Sequence, residues 1–192
     1  NNFYPAFTLQ PGTKGDAATR RVLSFVPDAL IYDINKAYTK DLRSNEASCY
    51  SYGTSPGDHI VLAGSYASHI TVSRTRAIGR DPADDSRILE DAFDWTNLKL
   101  GIDILEQDYD PNLVDATRTQ ERADAILRTQ QTQQTLGTLV VPTNCGQELY
   151  DVITLTDKRC GINSKKYRVL AIQTDYNRPR AIYNQRLLLC AP

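Results

Sequence analysis

His59 and His69 are the two side chains whose ordinary titration falls near neutral pH, so acid–base chemistry would most simply begin with one of them. His59 ends the triplet Gly57-Asp58-His59, and His69 follows Ser68 at the head of an alternating stretch. A chain this rich in Ser and Asp supplies a Ser–His–Asp set on paper beside any His, so nearness in sequence carries no mechanistic weight. The G-x-S-x-G elbow, the P-loop, G-x-G-x-x-G and H-E-x-x-H are all absent. Both histidines are read as exposed or hydrogen-bonded structural residues, and no catalytic residue is assigned.

Two acidic clusters have the donor chemistry for a divalent cation: Asp81, Asp84 and Asp85, and Asp103, Glu106 and Asp108. The segment Asp108-Tyr109-Asp110-Pro111-Asn112 begins like a calcium loop, with oxygens at alternate positions. It then fails, because Leu113 stands where such a loop needs Gly and Thr119 where it needs Glu. The clusters are read as solvated loops and helix-start acids, and no metal or other cofactor is expected. A glycosidase carboxylate pair has no local pattern to support it.

Cys49, Cys145, Cys160 and Cys190 are widely spaced, with no C-x-x-C and no close Cys/His ligand pairs for zinc. Two disulfides are arithmetically possible, and Cys145 and Cys160 flank one predicted strand. The expectation is nonetheless four buried or half-buried thiols, since a chain of 192 residues needs no staple.

Lys+Arg number 22 against 23 Asp+Glu, and the basic pairs Arg20-Arg21, Lys165-Lys166 and Arg178-Pro179-Arg180 are scattered, which argues against nucleic acid as a partner. The longest apolar runs are as short as Leu187–Ala191, far below a membrane span. With 41% apolar and 23% charged residues the composition is that of a globular protein with a real core. The 11 tyrosines suit contact with proteins or glycans. Methionine is absent even from the first position, and Asn1-Asn2-Phe3-Tyr4 opens no targeting pattern, so the chain reads as a slice of a longer or processed polypeptide.

These residues must be positioned by a β-rich scaffold. The run Val22, Leu23, Phe25, Val26 is too short for periodicity to decide its type. Ala29–Ile34 and His69–Arg74, the latter running toward Gly79, predict strands, with the turn cluster Thr54–Asp58 between them. After the polar break Asp81–Ser86, the spacing of Ile88, Leu89, Ala92 and Phe93 predicts a short helix, and Leu98–Leu105 a strand. A helix is predicted over about 117–131, with Thr117 and Gln120 as a capping box and Ala123, Ile126, Leu127 and Gln130 as its inward stripe. Strands follow at 139–141, 149–156, 167–176 and 181–189, separated by turn residues, with Tyr167, Val169, Ala171 and Gln173 sharing one face. The fold class is α+β: β-rich, with one or two short helices and a C-terminal antiparallel β-meander or small barrel. Its regions are 1–80, N-terminal and β-rich; 81–137, helix-containing; and 138–192, a small β-domain.

The C-terminal order carries a resemblance. The helix Gln120–Leu127 holds A-x-x-I-L, Gly137–Asn144 is a strand ending at Pro-x-Asn, and Gly146-Gln147-Glu148-Leu149-Tyr150-Asp151-Val152-Ile153 leads into Tyr167-Arg168-Val169 and Ala181–Leu189. This resembles the helix and terminal β-domain of tail-tip and baseplate-hub proteins of bacteriophages and related injection machines, with Tyr150 standing where that pattern has Gly. The match is close over the last 80 or so residues and follows order only before them.

The resemblance implies a non-enzymatic structural protein of the virion, assembled in the host cytoplasm. It forms a homo-oligomeric ring, commonly a trimer, and touches other tail and tip proteins through interfaces rather than a reactive pocket. The alternatives are a β-rich module binding a glycan or cell-surface target, and a hydrolase domain using His59 or a carboxylate pair.

Overall fold

The computed structural model describes residues 10–24, 26, 28–33, 36–42, 45–54, 56–67 and 72–192. In chain order the elements begin with helix α1 (Gly15–Leu23), strands β1 (Asp28–Asp33), β2 (Lys36–Asp41), β3 (Tyr50–Gly53), β4 (His59–Ile60), β5 (Ala63–Tyr66), β6 (Arg74–Arg80) and β7 (Arg87–Phe93). Helix α2 (Trp95–Leu98), strand β8 (Leu105–Tyr109) and helix α3 (Ala116–Gln133) follow. The last strands are β9 (Gly137–Pro142), β10 (Val152–Asp157), β11 (Ile162–Asn177) and β12 (Ile182–Cys190). The β-rich α+β class expected from the sequence is what the elements show. They divide into two compact units, each made of two separate stretches of chain: one runs to Asp41 and resumes over Ile70–Gln130, and the other takes Leu42–His69 and Gln131–Pro192.

The first unit contains the antiparallel hairpin β1–β2 and a three-stranded sheet in the order β7-β6-β8, with β6 antiparallel to β7 and parallel to β8. Along β6, Thr75, Ala77 and Gly79 are buried, and the alternate residues Arg74, Arg76, Ile78 and Arg80 lie on the opposite face by the period-two rule of strands. Ala77 packs with Ala92, Leu113, Ala123 and Leu127. The Thr75 hydroxyl donates to the Ala123 carbonyl at 2.8 Å, so α3 lies close against the sheet.

Three sequence expectations in this unit are corrected. The helix predicted at Ile88–Phe93 is strand β7: both faces of the strand carry apolar residues, which imitates helical spacing. The helix starts at Trp95, capped by Asp94, whose carboxylate accepts from the Thr96 and Asn97 amides. The strand predicted at Leu98–Leu105 is the end of α2 and a turn through Gly101, in the left-handed region at φ 81°, and β8 begins only at Leu105. Finally, Asp115 rather than Thr117 caps α3, accepting from the Arg118 amide at 2.8 Å, while Gln120 reaches the Asp91 carbonyl and Asp124. The undecided run at Val22–Val26 ends helix α1 at Leu23, and Phe25 lies outside the described residues, as do His69 and the start of its predicted strand.

The second unit is one curled sheet in the order β4-β3-β10-β11-β12-β9-β5, parallel at β4–β3 and β3–β10 and antiparallel elsewhere. Strands β4 and β5 stand at opposite ends of that order, yet only Val61 and Leu62 separate them in sequence, a span of at most about 10 Å. The sheet must therefore curl until its ends meet. Residues 59–60 bond β3 and residues 63–66 bond β9, although the ladder itself stays open between β4 and β5. One interior results, filled by residues that include Tyr52, Leu139, Val141, Ile153, Leu155, Val169, Leu187 and Leu189, all at 1% exposure or less. The expected alternation in β11 is half right. Tyr167 and Val169 point inward, but a bulge between Val169 and Ala171 shifts the phase, so Ala171 is exposed and Ile172 packs on the core instead.

Candidate functional site

His59 is exposed on β4, and its contacts are aromatic rings: Tyr52 at 5.2 Å and Tyr50 at 5.7 Å between centroids. Behind it the Tyr52 hydroxyl donates to Gln147 Oε1 at 2.9 Å and accepts from Asn144 Nδ2, while Gln147 Nε2 donates to Asp151. Burial comes first among the causes that raise the Tyr52 phenol above its ordinary value, so it stays protonated and donates. This network ties the 144–151 loop to β3. It builds no nucleophile–base pair.

The acids are committed to the fold as well. Asp81 accepts from the Ala83 amide, Asp84 from the Ser86 amide, and Asp85 pairs with Arg80. Asp103 pairs with Arg74, Asp108 with Arg122, and Glu106 accepts from Gln130. Among the described residues no group of three or more His, Cys, Asp or Glu is arranged to hold a metal ion.

What the geometry does assemble is surface. With α3 on one face of the β7-β6-β8 sheet, the other face carries rows set by strand register. Phe93, Arg74 and Leu105 form one row, Asp91, Arg76 and Gln107 the next, then Leu89, Ile78 and Tyr109, and Arg87 with Arg80 at the end. Arg76 holds Asp91 through two hydrogen bonds of 2.7 and 2.8 Å, and this fork holds the Asp91 carboxyl below its usual range. Beyond the first row Phe93 stacks on Trp95 at 4.9 Å, with Trp95 62% exposed. Sequence reading missed this face, although its signal was present: Arg-Thr-Arg-Ala-Ile-Gly-Arg alternates small residues with long ones. In the second unit the β11–β12 hairpin ends in a cross-strand pair of exposed rings, Tyr176 and Tyr183, 5.5 Å apart beside the Arg178–Arg180 turn.

This architecture has solved counterparts. The chain superposes on a tail protein from Neisseria meningitidis MC58 with TM-score 0.68 and 12% identity, over 96% of this chain and 57% of that one. It superposes on the 43 kDa tail protein of prophage MuSo2 from Shewanella oneidensis with TM-score 0.64 and 13% identity, covering 97% and 55%. A third likeness is to the prophage tail protein gp18 from Listeria monocytogenes EGD-e, with TM-score 0.56 and 13% identity over 92% and 52%. Its fold is that of these phage tail proteins. The chain spans a little over half the length of each. No family model and no curated protein matches the sequence.

Within this tail-protein fold the position that departs from the resemblance keeps its turn. Tyr150 takes the left-handed φ of 63° that favours Gly, while its amide donates to the Val169 carbonyl and its carbonyl accepts from buried Arg168. None of the four cysteines is joined in a disulfide. Cys49, Cys145 and Cys160 are exposed rather than buried or half-buried as expected, while Cys190 is buried in β12. Cys145 and Cys160 lie in tight turns, which explains their exposure.

Proposed function

We propose that the chain is a non-enzymatic structural subunit of a phage-type tail, placed at the tip or baseplate hub and working through protein–protein interfaces. The observation that carries this reading is agreement in fold along 92–97% of the chain with three tail proteins. The exposed rows that mix Arg with Phe, Trp, Tyr and Leu support it, because such composition marks contact surfaces. Copies of the chain form a closed ring, a trimer, by heterologous contacts, with other tail and tip proteins as further partners and no nucleic acid. Assembly takes place in the host cytoplasm, and the product is part of the virion. Native mass spectrometry of the protein co-expressed with its neighbouring tail genes tests this. A closed trimer within the larger assembly is expected, and a strict monomer in the presence of those partners overturns the reading.

A second reading, a glycan- or surface-binding module, is favoured by one feature, the exposed Phe93–Trp95 stack. A glycan-array signal abolished by Trp95→Ala would support it, and an empty array would end it.

A further inference from the structure

One end of the β7-β6-β8 sheet holds a cleft of about 600 Å³, within the range of small-molecule sites, lined by Ile78, Gly79, Arg80, Asp85, Arg87 and Tyr109. Arg80 and Arg87 are direct cross-strand partners on the same face. Like charges set opposite each other repel and destabilise a strand pair. The turn between them, 81–86, supplies a single carboxylate to the pair: Asp85, in a left-handed conformation at φ 68°, reaches Arg80. Arg80 is held charged first by the hydrogen bond to Asp85, then by its charge, with the Tyr109 hydroxyl a lesser contributor. Arg87 has no acidic partner among the described residues. Asp81 and Asp84 of the same turn accept from the Ala83 and Ser86 amides and do not line the cleft, so within the lining two guanidiniums stand against one carboxylate. Next to it Ile78 is half-buried, and the Tyr109 ring is 56% exposed.

We propose that this cleft is a carboxylate-binding site, in which a planar monoanion seats on the Arg80–Arg87 pair and an apolar body attached to it rests on Ile78 and the ring of Tyr109. The charge balance selects the class. One surplus charge matches a carboxylate, whereas a dianionic phosphate brings a second negative charge beside Asp85. Guanidinium forks match the two oxygens of a carboxylate in a plane. Gly79 gives the lining backbone alone, because its Cβ direction runs to Leu113 on the buried face of the sheet, away from the cleft. The same chemistry reaches the site from a free carboxylic acid or from an Asp or Glu side chain of a partner protein. The site does not depend on the tail assignment.

Titration of the isotope-labelled protein with 3-phenylpropanoate, followed by backbone amide NMR, tests this. Saturable shifts confined to residues around 78–80, 85–87 and 109 are expected, weakened about tenfold or more in Arg87→Ala and partly restored in Arg87→Lys. The neutral 3-phenylpropanamide should leave the spectrum unmoved, and phenethyl phosphate should bind no tighter than the carboxylate. Arg87 is exposed, so its variants keep the fold, which their unshifted remaining resonances would verify. No saturable shifts with the carboxylate, equal binding by Arg87→Ala, or a clear preference for the phosphate each overturn the proposal. A capped Ala-Glu-Leu-Ala peptide and its Gln counterpart separate the sources. Tighter binding of the Glu peptide than of the free acid assigns the site to a partner's side chain, and the reverse assigns it to a small ligand.

Discussion

In the second unit the interior is occupied by large side chains, Leu139, Leu155, Leu187 and Leu189 with Ile153 and Tyr52, whereas in the first Ala77, Ala92 and Ala123, with Thr75 and Gly79, meet between sheet and helix beside Leu113 and Leu127. A curled sheet encloses a volume that only bulky residues fill. Where Thr75 bonds the Ala123 carbonyl the sheet-and-helix layer has little such volume, because α3 must come close for Thr75 to reach Ala123. The two regions should therefore fail in opposite ways. Removing atoms injures the second unit, and adding atoms injures the first.

The largest effect expected is from Leu187→Ala. It leaves a cavity in the enclosed core and should cost about 3–4 kcal/mol. Hydrogen exchange resolved by residue should place the loss of protection in β9 to β12. A cost below about 1 kcal/mol would show that the curled sheet collapses around the void, and the contrast between the units would break.

Adding one methyl group to the first unit makes the reciprocal test. Gly79→Ala drives a Cβ to 2.3 Å from the Leu113 carbonyl oxygen and 2.8 Å from its Cβ, both rigidly placed. The expected loss is about 2–3 kcal/mol, read as exchange protection falling in β6 and α3. Full stability with an alanine there would mean that the close approach is not what holds this layer.

A finer contrast lies inside the second unit. Two three-residue turns share one plan: Asp157 caps Lys158–Cys160, which ends at Gly161, and Asn177 caps Arg178–Arg180, which ends at Ala181. Both closing residues are left-handed, at φ 71° and 51°. Glycine adopts that conformation without strain and alanine does not. Ala181→Gly should stabilise by about 1 kcal/mol, and Gly161→Ala should destabilise by about the same amount, both measurable as midpoint shifts in denaturant.

The parts of this fold that were legible in the sequence are those with one dominant signal. Helix α3 shows its stripe, and β9 to β12 show apolar runs cut by Pro142, Gly146 and Gly161. Strand β7 was misread because Leu89 and Phe93 face the outer surface while Ile88 and Ala92 face inward, and a two-faced strand carries no clean period. The cap of α3 was misplaced because Asp115 and Thr117 are both good caps and only geometry chooses. His59 and the acids were visible from the start, and their packing and pairing came with the fold. The Arg80–Arg87 pair was half legible: the polar break at 81–86 was clear, but placing the two guanidiniums opposite each other needs the register of a hairpin whose second strand read as a helix. That each unit joins two distant stretches of chain is written nowhere locally, since it follows from long-range pairing.

Acid sets the smallest difference between the regions. In the second unit Asp157, 1% exposed, accepts from Arg159 Nε and Nη2, each at 2.9 Å, and from the Tyr66 hydroxyl at 3.2 Å. The Arg159 fork is the chief cause that holds its carboxyl below the usual range, while burial and then Asp157 push the Tyr66 phenol far up. In the first unit Asp91 is held low by Arg76 with both partners partly exposed, whereas in the second the carboxylate is buried and its partner Arg159 stands 55% exposed. A depressed folded-state pKa stabilises above the unfolded value, near pH 4, and that stabilisation disappears as pH falls through the folded value. Both carboxylates therefore weaken the fold below about pH 4. Added salt should blunt the Asp91 contribution more, because the Asp91 carboxylate meets solvent while the Asp157 carboxylate is covered. Asp157→Asn keeps the turn cap but removes the charge. Its stability should fall short of the unsubstituted protein at pH 7 and converge on it as pH drops, with the gap less sensitive to salt than that of Asp91→Asn. A gap that closes with salt at neutral pH as fully as that of Asp91→Asn would erase this last distinction between the two units.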